Sequence, residues 1–179
     1  MIILGIDPGT LVTGYGIIER KGSLLRLVAC GMAVNAQRDA MPARLKTIYD
    51  VLCEAIGRWH PDEAAIETAF YGKNIQSSLK IGQARGAAML AAVNCGIPVA
   101  EYAPREIKRA VTGNGAATKE QVQYMIMKML KLKTAPDALD ISDAIGVAVT
   151  HAYRSTAPKA GHSSWESFIA AHPERVLSH

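Results

Sequence analysis

The chain has 179 residues, of which 49% are hydrophobic and 20% charged, a balance that excludes a disordered protein and fits one compact domain. The longest weakly polar stretch, residues 86–100, is too short to cross a bilayer, and no basic segment precedes the first apolar residues, so we expect neither a membrane span nor a signal peptide. The net charge is only +4, but residues 73–133 hold ten Lys or Arg against three Glu, which suggests a polyanion-binding face, although solvated lysines would give the same count.

The first third of the chain predicts three strands, a helix and a fourth strand. The first apolar run stops at Asp7-Pro8-Gly9, which is typical of a buried strand followed by a turn. The second and third strands flank a short turn and continue the first as an antiparallel meander. The predicted elements are strands over residues 2–6, 12–19, 24–34 and 64–67, with a helix that starts near Pro42 and stops before Pro61.

The rest of the chain predicts one more strand and four helices. Residues 76–94 have small or apolar side chains on two sides, so this helix should pack on its own sheet and on a partner. Thr118 and Gln121 form a capping box that starts a later helix. The predicted elements are helices over residues 76–94, 105–111, 118–130 and 137–153, with a strand over residues 97–102.

This order of elements predicts an α/β domain with a mixed five-stranded sheet flanked by helices on both faces. The antiparallel meander argues against an all-parallel, doubly wound sheet. We expect one domain over residues 1–154. The remaining residues, 155–179, have no hydrophobic period and predict a C-terminal tail.

Four residues with reactive side chains receive structural interpretations. The three cysteines form no Cys-x-x-Cys pair and are expected to be buried small hydrophobes in a reducing cytoplasm: Cys30, Cys53 and Cys95. His151 falls at the end of the last helix, where a His is favoured by the helix dipole.

Four carboxylates lie where burial should oppose an ionised group. Asp7 and Glu67 end two buried strands, and Asp140 and Asp143 are three residues apart near the start of a helix, so they share one side. Acids brought together need a cation to stay ionised, and oxygen-only ligands select a hard ion such as magnesium or manganese. Rigid strand ends and a helix start also suit a two-metal site.

Each acid also has an ordinary structural explanation. An Asp before Pro-Gly is often a turn former, and a Glu at a strand end often faces water. Asp140 and Asp143 could serve the positive end of the helix, which is the role expected for Asp137. Singly, each explanation is at least as probable as a metal site, and only the combination of the four favours chemistry.

Four motifs follow one another along the chain. The first is ILGIDPGT at residues 3–10, followed by TGYG at 13–16. The second is IE at residues 66–67 with FYGKN at 70–74, and the third is LKIGQARG at residues 79–86. The fourth is DISDA at residues 140–144. In this order the motifs resemble those of the RuvC-type crossover junction endodeoxyribonucleases of the ribonuclease H-like superfamily. The resemblance covers residues 1 to about 153 and implies an endonuclease that resolves four-way Holliday junctions by paired, symmetric nicks.

The resemblance also assigns residues by position. Asp7, Glu67, Asp140 and Asp143 would bind about two magnesium ions and act in catalysis. Lys108 and Lys119 would contact the DNA backbone near the cut, whereas a solvated helix lysine is the favoured interpretation of Lys128, Lys131 and Lys133. Phe70 would enter the opened junction. The remaining residues assigned to DNA binding are Lys73, Lys80 and Arg85.

The family implies a homodimer and a branch-migration complex of the RuvA and RuvB type as a partner. Gly82 and Gly86 lie one turn apart in the helix over residues 76–94 and would allow close approach of a symmetry mate.

Two other functions fit part of the sequence. Asp7-Pro8-Gly9-Thr10 before a hairpin also resembles the first phosphate loop of an actin- or sugar-kinase-like phosphotransferase, but the chain is too short for a second such domain. The Gly14/Gly16 and Gly113/Gly115 pairs complete no nucleotide-binding pattern. A DNA-binding protein without catalysis is the third possibility, and the full set of acids argues against it.

Overall fold

A computed structural model describes residues 1–68, 75–136 and 138–155. Phe70, Lys73 and Asp137 lie outside the described residues, as does the predicted tail after Ser155. Among the described helices, none has the length and apolarity needed to cross a bilayer.

Five strands and five helices make up the described chain. The strands are β1 (Ile2–Asp7), β2 (Val12–Lys21), β3 (Leu24–Val34), β4 (Glu63–Glu67) and β5 (Val99–Tyr102). The helices are α1 (Met41–Trp59), α2 (Ile75–Asn94), α3 (Pro104–Thr112), α4 (Lys119–Met129) and α5 (Leu139–Arg154). The predicted boundaries are confirmed to within a few residues.

The sheet has the strand order β3-β2-β1-β4-β5. The first three strands pair antiparallel, while β4 pairs parallel with both β1 and β5. This arrangement confirms the predicted mixed sheet with its antiparallel meander.

Alternate residues of β1 face opposite layers of helices, as the period of a strand requires. Leu4 and Ile6 belong to the core formed with α1 and α2, whereas Ile3 belongs to the core formed with α4 and α5. Asp7 therefore shares the α5 face with Ile3 and Gly5, as predicted. Helices cover both faces of the sheet, which also confirms the prediction.

Helix α5 lies unusually close to the sheet because glycines face it. A Cβ added to Gly5 would overlap the carbonyl oxygen of Ala144, and one added to Gly14 would overlap that of Asp140. One added to Gly16 would lie 2.5 Å from Cγ1 of Ile145. These glycines let the helix backbone rest directly on β1 and β2, since any larger side chain would push it outward.

The ends of two helices test the capping predictions. At the start of α4, the amide of Gln121 donates to Thr118 Oγ1 at 3.3 Å, and Gln121 Oε1 accepts from the Thr118 amide at 2.9 Å. The predicted capping box is confirmed. Helix α5 starts at Leu139, two residues later than predicted, after Ala138, whose side chain makes no capping hydrogen bond.

The prediction that all three cysteines are buried is wrong. Cys30 and Cys95 are exposed and Cys53 is partly buried, with its Sγ 4.0 Å from that of Cys95. Cys30 is exposed because β3 is an edge strand of the sheet, and Cys95 because it follows the last turn of α2.

His151 lies in the last turn of α5, as predicted, but its main partners are side chains. It is 7% exposed. Its Nδ1 is 2.8 Å from the hydroxyl of Tyr102, at the end of β5, and its Nε2 is 2.5 Å from Oε2 of Glu63, at the start of β4. His151 therefore ties α5 to two strands, a role that the dipole interpretation did not include.

Candidate active site

Two of the four predicted acids meet because their strands are parallel neighbours. Ile6 of β1 pairs with Ile66 of β4, so Asp7 and Glu67 follow side by side at the carboxyl ends of these strands. The turn after Asp7 is held by the buried Thr13, whose hydroxyl donates to the Gly9 carbonyl at 2.6 Å.

The other two acids come from the first turns of α5. The Asp140 backbone lies over Gly14, which is the β2 partner of Asp7. Asp7, Asp140 and Asp143 each offer one carboxylate oxygen, and these three oxygens lie within 4.8 Å of one another. Glu67 lines the same cavity of about 230 Å³ as Asp7 and Asp143. The structure thus brings all four predicted acids together.

Burial and mutual repulsion make these acids difficult to ionise. Burial, followed by the charges of Asp143 and Asp140, raises the pKa of Asp7 to about 7. Burial, followed by the charges of Asp7 and Asp143, raises the pKa of Glu67 to about 8. A hard dication would relieve this repulsion, and the donors are all carboxylate oxygens, so the residues fit magnesium or manganese.

Two of the predicted basic residues line the same cavity. Lys108 reaches it from α3 and Lys119 from α4. The Lys119 ammonium donates to Asp143 Oδ2 at 2.5 Å. This hydrogen bond, together with the neighbouring acids, raises the pKa of Lys119. The cavity therefore combines anionic metal donors with cations suited to a phosphate.

The other described residues assigned to DNA binding lie on α2, outside this cavity. Lys80 is exposed. The guanidinium of Arg85 forms an ion pair with Glu101 of β5, and its buried Nε has no hydrogen-bond partner. Phe70 and Lys73 belong to the segment outside the described residues.

Sequence reasoning missed the glycines that place α5. Gly14 and Gly16 belong to the TGYG motif and to an incomplete nucleotide-binding pattern, and neither pattern indicates helix packing. The two glycines are two residues apart on a strand and face the helix together with Gly5. Glycines at alternate positions of a predicted strand are the signal for such close packing.

Comparisons with known proteins connect this geometry to a family. The family model described as crossover junction endodeoxyribonuclease RuvC matches residues 3–151. The RuvC protein of Chlorobium phaeovibrioides is 45% identical and covers 99% of this chain and 100% of its own length. That of Vibrio atlanticus is 53% identical over 84% of this chain and 86% of its own length. The chain belongs to the RuvC family.

Solved structures of this family have the same fold. The Thermus thermophilus RuvC structure is 34% identical with a TM-score of 0.79, covering 87% of this chain and 95% of its own. The T. thermophilus RuvC in complex with Holliday junction substrate is 33% identical with a TM-score of 0.82, covering 87% and 94%. These matches confirm the ribonuclease H-like fold class. As a RuvC family member the chain is a nuclease, which excludes the phosphotransferase and the non-catalytic binding protein.

Proposed function

We propose that this chain is a metal-dependent endonuclease that resolves four-way DNA junctions by hydrolysing one phosphodiester in each of two symmetric strands. The observation that carries the proposal is the convergence of Asp7, Asp140 and Asp143, within 4.8 Å, in a cavity that Glu67 also lines. The T. thermophilus relative captured with a Holliday junction substrate supports the choice of DNA.

The four acids would hold magnesium, with manganese as a substitute and two ions per site. Bound there, the ions supply Lewis-acid chemistry, which favours deprotonation of the attacking water and stabilises charge on the leaving 3′-oxygen. The acids themselves stay rigid because strand ends and an anchored helix carry them. The product would be a nick with a 5′-phosphate, which a ligase can seal.

Basic residues would position the substrate. Lys108 and Lys119 line the cavity and suit contacts with the phosphates beside the cut. Lys80 and Arg85 would contact DNA phosphates further from the cut. To do so, Arg85 must leave its ion pair with Glu101 and pair with a phosphate instead. The segment outside the described residues would contribute Phe70 to the opened junction and Lys73 to the backbone.

A metal-dependence assay tests the proposed chemistry. Wild-type protein should nick a synthetic four-way junction in magnesium. Asp7→Asn should lower the rate by orders of magnitude while junction affinity persists, because a neutral amide is a poorer ligand for a hard dication. Asp50→Asn is the matched control, since Asp50 is an exposed α1 residue paired with Lys46. If Asp7→Asn cleaves the junction at the wild-type rate, the acid cluster has no part in the mechanism.

We also propose that α2 forms the interface of a homodimer. Its inner side is buried through alanines such as Ala84 and Ala88, whereas Leu79, Leu90 and Val93 are each more than half exposed. The predicted interface residues, Gly82 and Gly86, leave open space for an added Cβ, so nothing within the described chain covers this side. Two copies of an apolar, small-residue surface suit an isologous contact.

Sedimentation with two glycine variants tests the dimer. Gly86→Glu should convert dimers to monomers by placing a charge in the contact. Gly57→Glu is the control, because Gly57 is also helical, on α1, and is equally open to an added side chain. Monomeric wild-type protein at micromolar concentration would refute the interface.

The remaining assignments concern context. We propose that residues 1–154 are the nuclease domain and residues 155–179 a tail. The enzyme would work in the cytoplasm with a branch-migration complex of the RuvA and RuvB type.

A further inference from the structure

Lys119 occupies a position where a cation does not help its own helix. It is the first residue of α4, directly after the N-cap Thr118. The positive end of the helix dipole favours anions there and disfavours an ammonium. The side chain instead extends across to Asp143 on α5, so the reason for a lysine at this position lies in the acid cluster.

The contact with Asp143 is close but only partly shielded. Nζ of Lys119 lies 2.5 Å from Asp143 Oδ2, with the lysine side chain 54% exposed and the aspartate 16% exposed. Asp7 and Asp140 add to the attraction, since their charges also favour the ionised lysine. The ammonium therefore partly neutralises the acids, while water still reaches it.

The ammonium and a metal ion would draw on the same carboxylate. Asp143 provides one of the three oxygens that lie within 4.8 Å of one another. A dication among these oxygens would stand a few ångströms from the ammonium, and like charges at that range repel. Half-exposed ion pairs are weak, so the dication has the advantage.

We propose that Lys119 is an internal counter-ion of the metal site, which neutralises Asp143 until a divalent cation replaces it and thereby frees the ammonium for a DNA phosphate. This inference rests on the metal-dependent function proposed above. Lys119 is then a positioning residue that couples metal binding to DNA binding, and by linkage each should strengthen the other.

Calorimetric titration of magnesium into the full chain without DNA tests the exchange. Lys119→Met should tighten magnesium binding by roughly two- to fivefold, the amount set by loss of a weak competing ion pair. Lys108→Met is the matched control: Lys108 lines the same cavity, so its removal reports the general effect of losing one positive charge. The gain in magnesium affinity should be clearly smaller in Lys108→Met than in Lys119→Met. Thermal unfolding checks that both variants are folded.

A second measurement follows the lysine directly. In protein labelled with ¹³C-lysine, the Cε resonance lost in Lys119→Met should shift with magnesium, with the same midpoint as the calorimetry. A resonance that does not move as magnesium binds, weaker binding by Lys119→Met, or equal gains in both lysine variants would each overturn the exchange. If Asp7→Asn binds magnesium with the affinity of the wild type, the metal site itself is refuted.

Discussion

In the absence of metal, Asp7→Asn should stabilise the protein, and the gain should depend on pH. The folded-state pKa of Asp7 is raised from 3.8 to about 7, so the folded protein resists ionisation that the unfolded chain accepts. Stability from this group is therefore fully present below about pH 4 and is lost as pH rises through about 7. Asparagine has nearly the same shape and no proton to lose, so the variant escapes this loss.

The size of the effect follows from the width of that window. A pKa difference of one unit corresponds to about 1.4 kcal/mol. The folded-state pKa of Asp7, about 7, lies about two units above pH 5. The stabilisation of Asp7→Asn relative to the wild type should therefore be larger at pH 8.5 than at pH 5, by at most about 3 kcal/mol. Because the cavity is open to water, we expect about 1–3 kcal/mol.

Urea unfolding in chelator at pH 5 and pH 8.5 measures this difference. Asp50→Asn on the surface should change stability by less than about 1 kcal/mol, and by the same amount at both pH values. Saturating magnesium at pH 8.5 should stabilise the wild type more than Asp7→Asn, because ligand binding to the folded state adds stability. A gain that is equal at both pH values would show that the cost of ionising Asp7, from burial and from the charges of Asp143 and Asp140, is not the cause.

Two further predictions concern α5 and the DNA. Gly14→Ala should lower stability by about 1–3 kcal/mol in thermal unfolding and impair cleavage, because the added Cβ would displace the Asp140 backbone. The control Gly57→Ala places its Cβ in open space on a helix and should be neutral or stabilising. Intact cleavage by Gly14→Ala would contradict this packing. Lys119→Ala should reduce the slope of log affinity against log salt for a four-way junction by about 1, and Lys133→Ala should leave it unchanged. Equal salt slopes for the two variants would indicate that the lysines act through a diffuse electrostatic field and not through defined phosphate contacts.

Local chemistry predicted most of the fold. Apolar periodicity with Pro and Gly boundaries located every strand and helix of the described chain, because these elements bury regular faces. The same logic placed Asp7 and Glu67 at strand ends. Their convergence with α5 needed the family resemblance, since sequence spacing alone says nothing about which strands become neighbours.

The misses have a common physical origin in long-range packing. The exposure of Cys30 depends on β3 being an edge strand, which no local pattern reveals. The approach of α5 depends on glycines more than a hundred residues away. The Lys119 pair with Asp143 joins two helices, so it too is visible only once α4 and α5 are packed.

The same long-range packing makes His151 important to the site from the far end of α5. Its ring contacts Tyr102 and Glu63, and the Tyr102 carbonyl accepts from the amide of Thr68, the residue after Glu67, at 2.9 Å. Removing the ring's hydrogen bonds should therefore loosen β5 and the adjacent end of β4.

His151→Phe should cost about 1–3 kcal/mol in urea unfolding, because it removes both hydrogen bonds of the ring, while the partly exposed Glu63 carboxylate can still be hydrated. Tyr102→Phe removes one of the two bonds and should cost about 1 kcal/mol. Hydrogen exchange should quicken at the Thr68 amide in His151→Phe but not at the β2–β3 ladder, which lies at the opposite edge of the sheet. Uniform loss of protection across all five strands would mean that His151 supports the fold as a whole, with no particular link to the strand that carries Glu67.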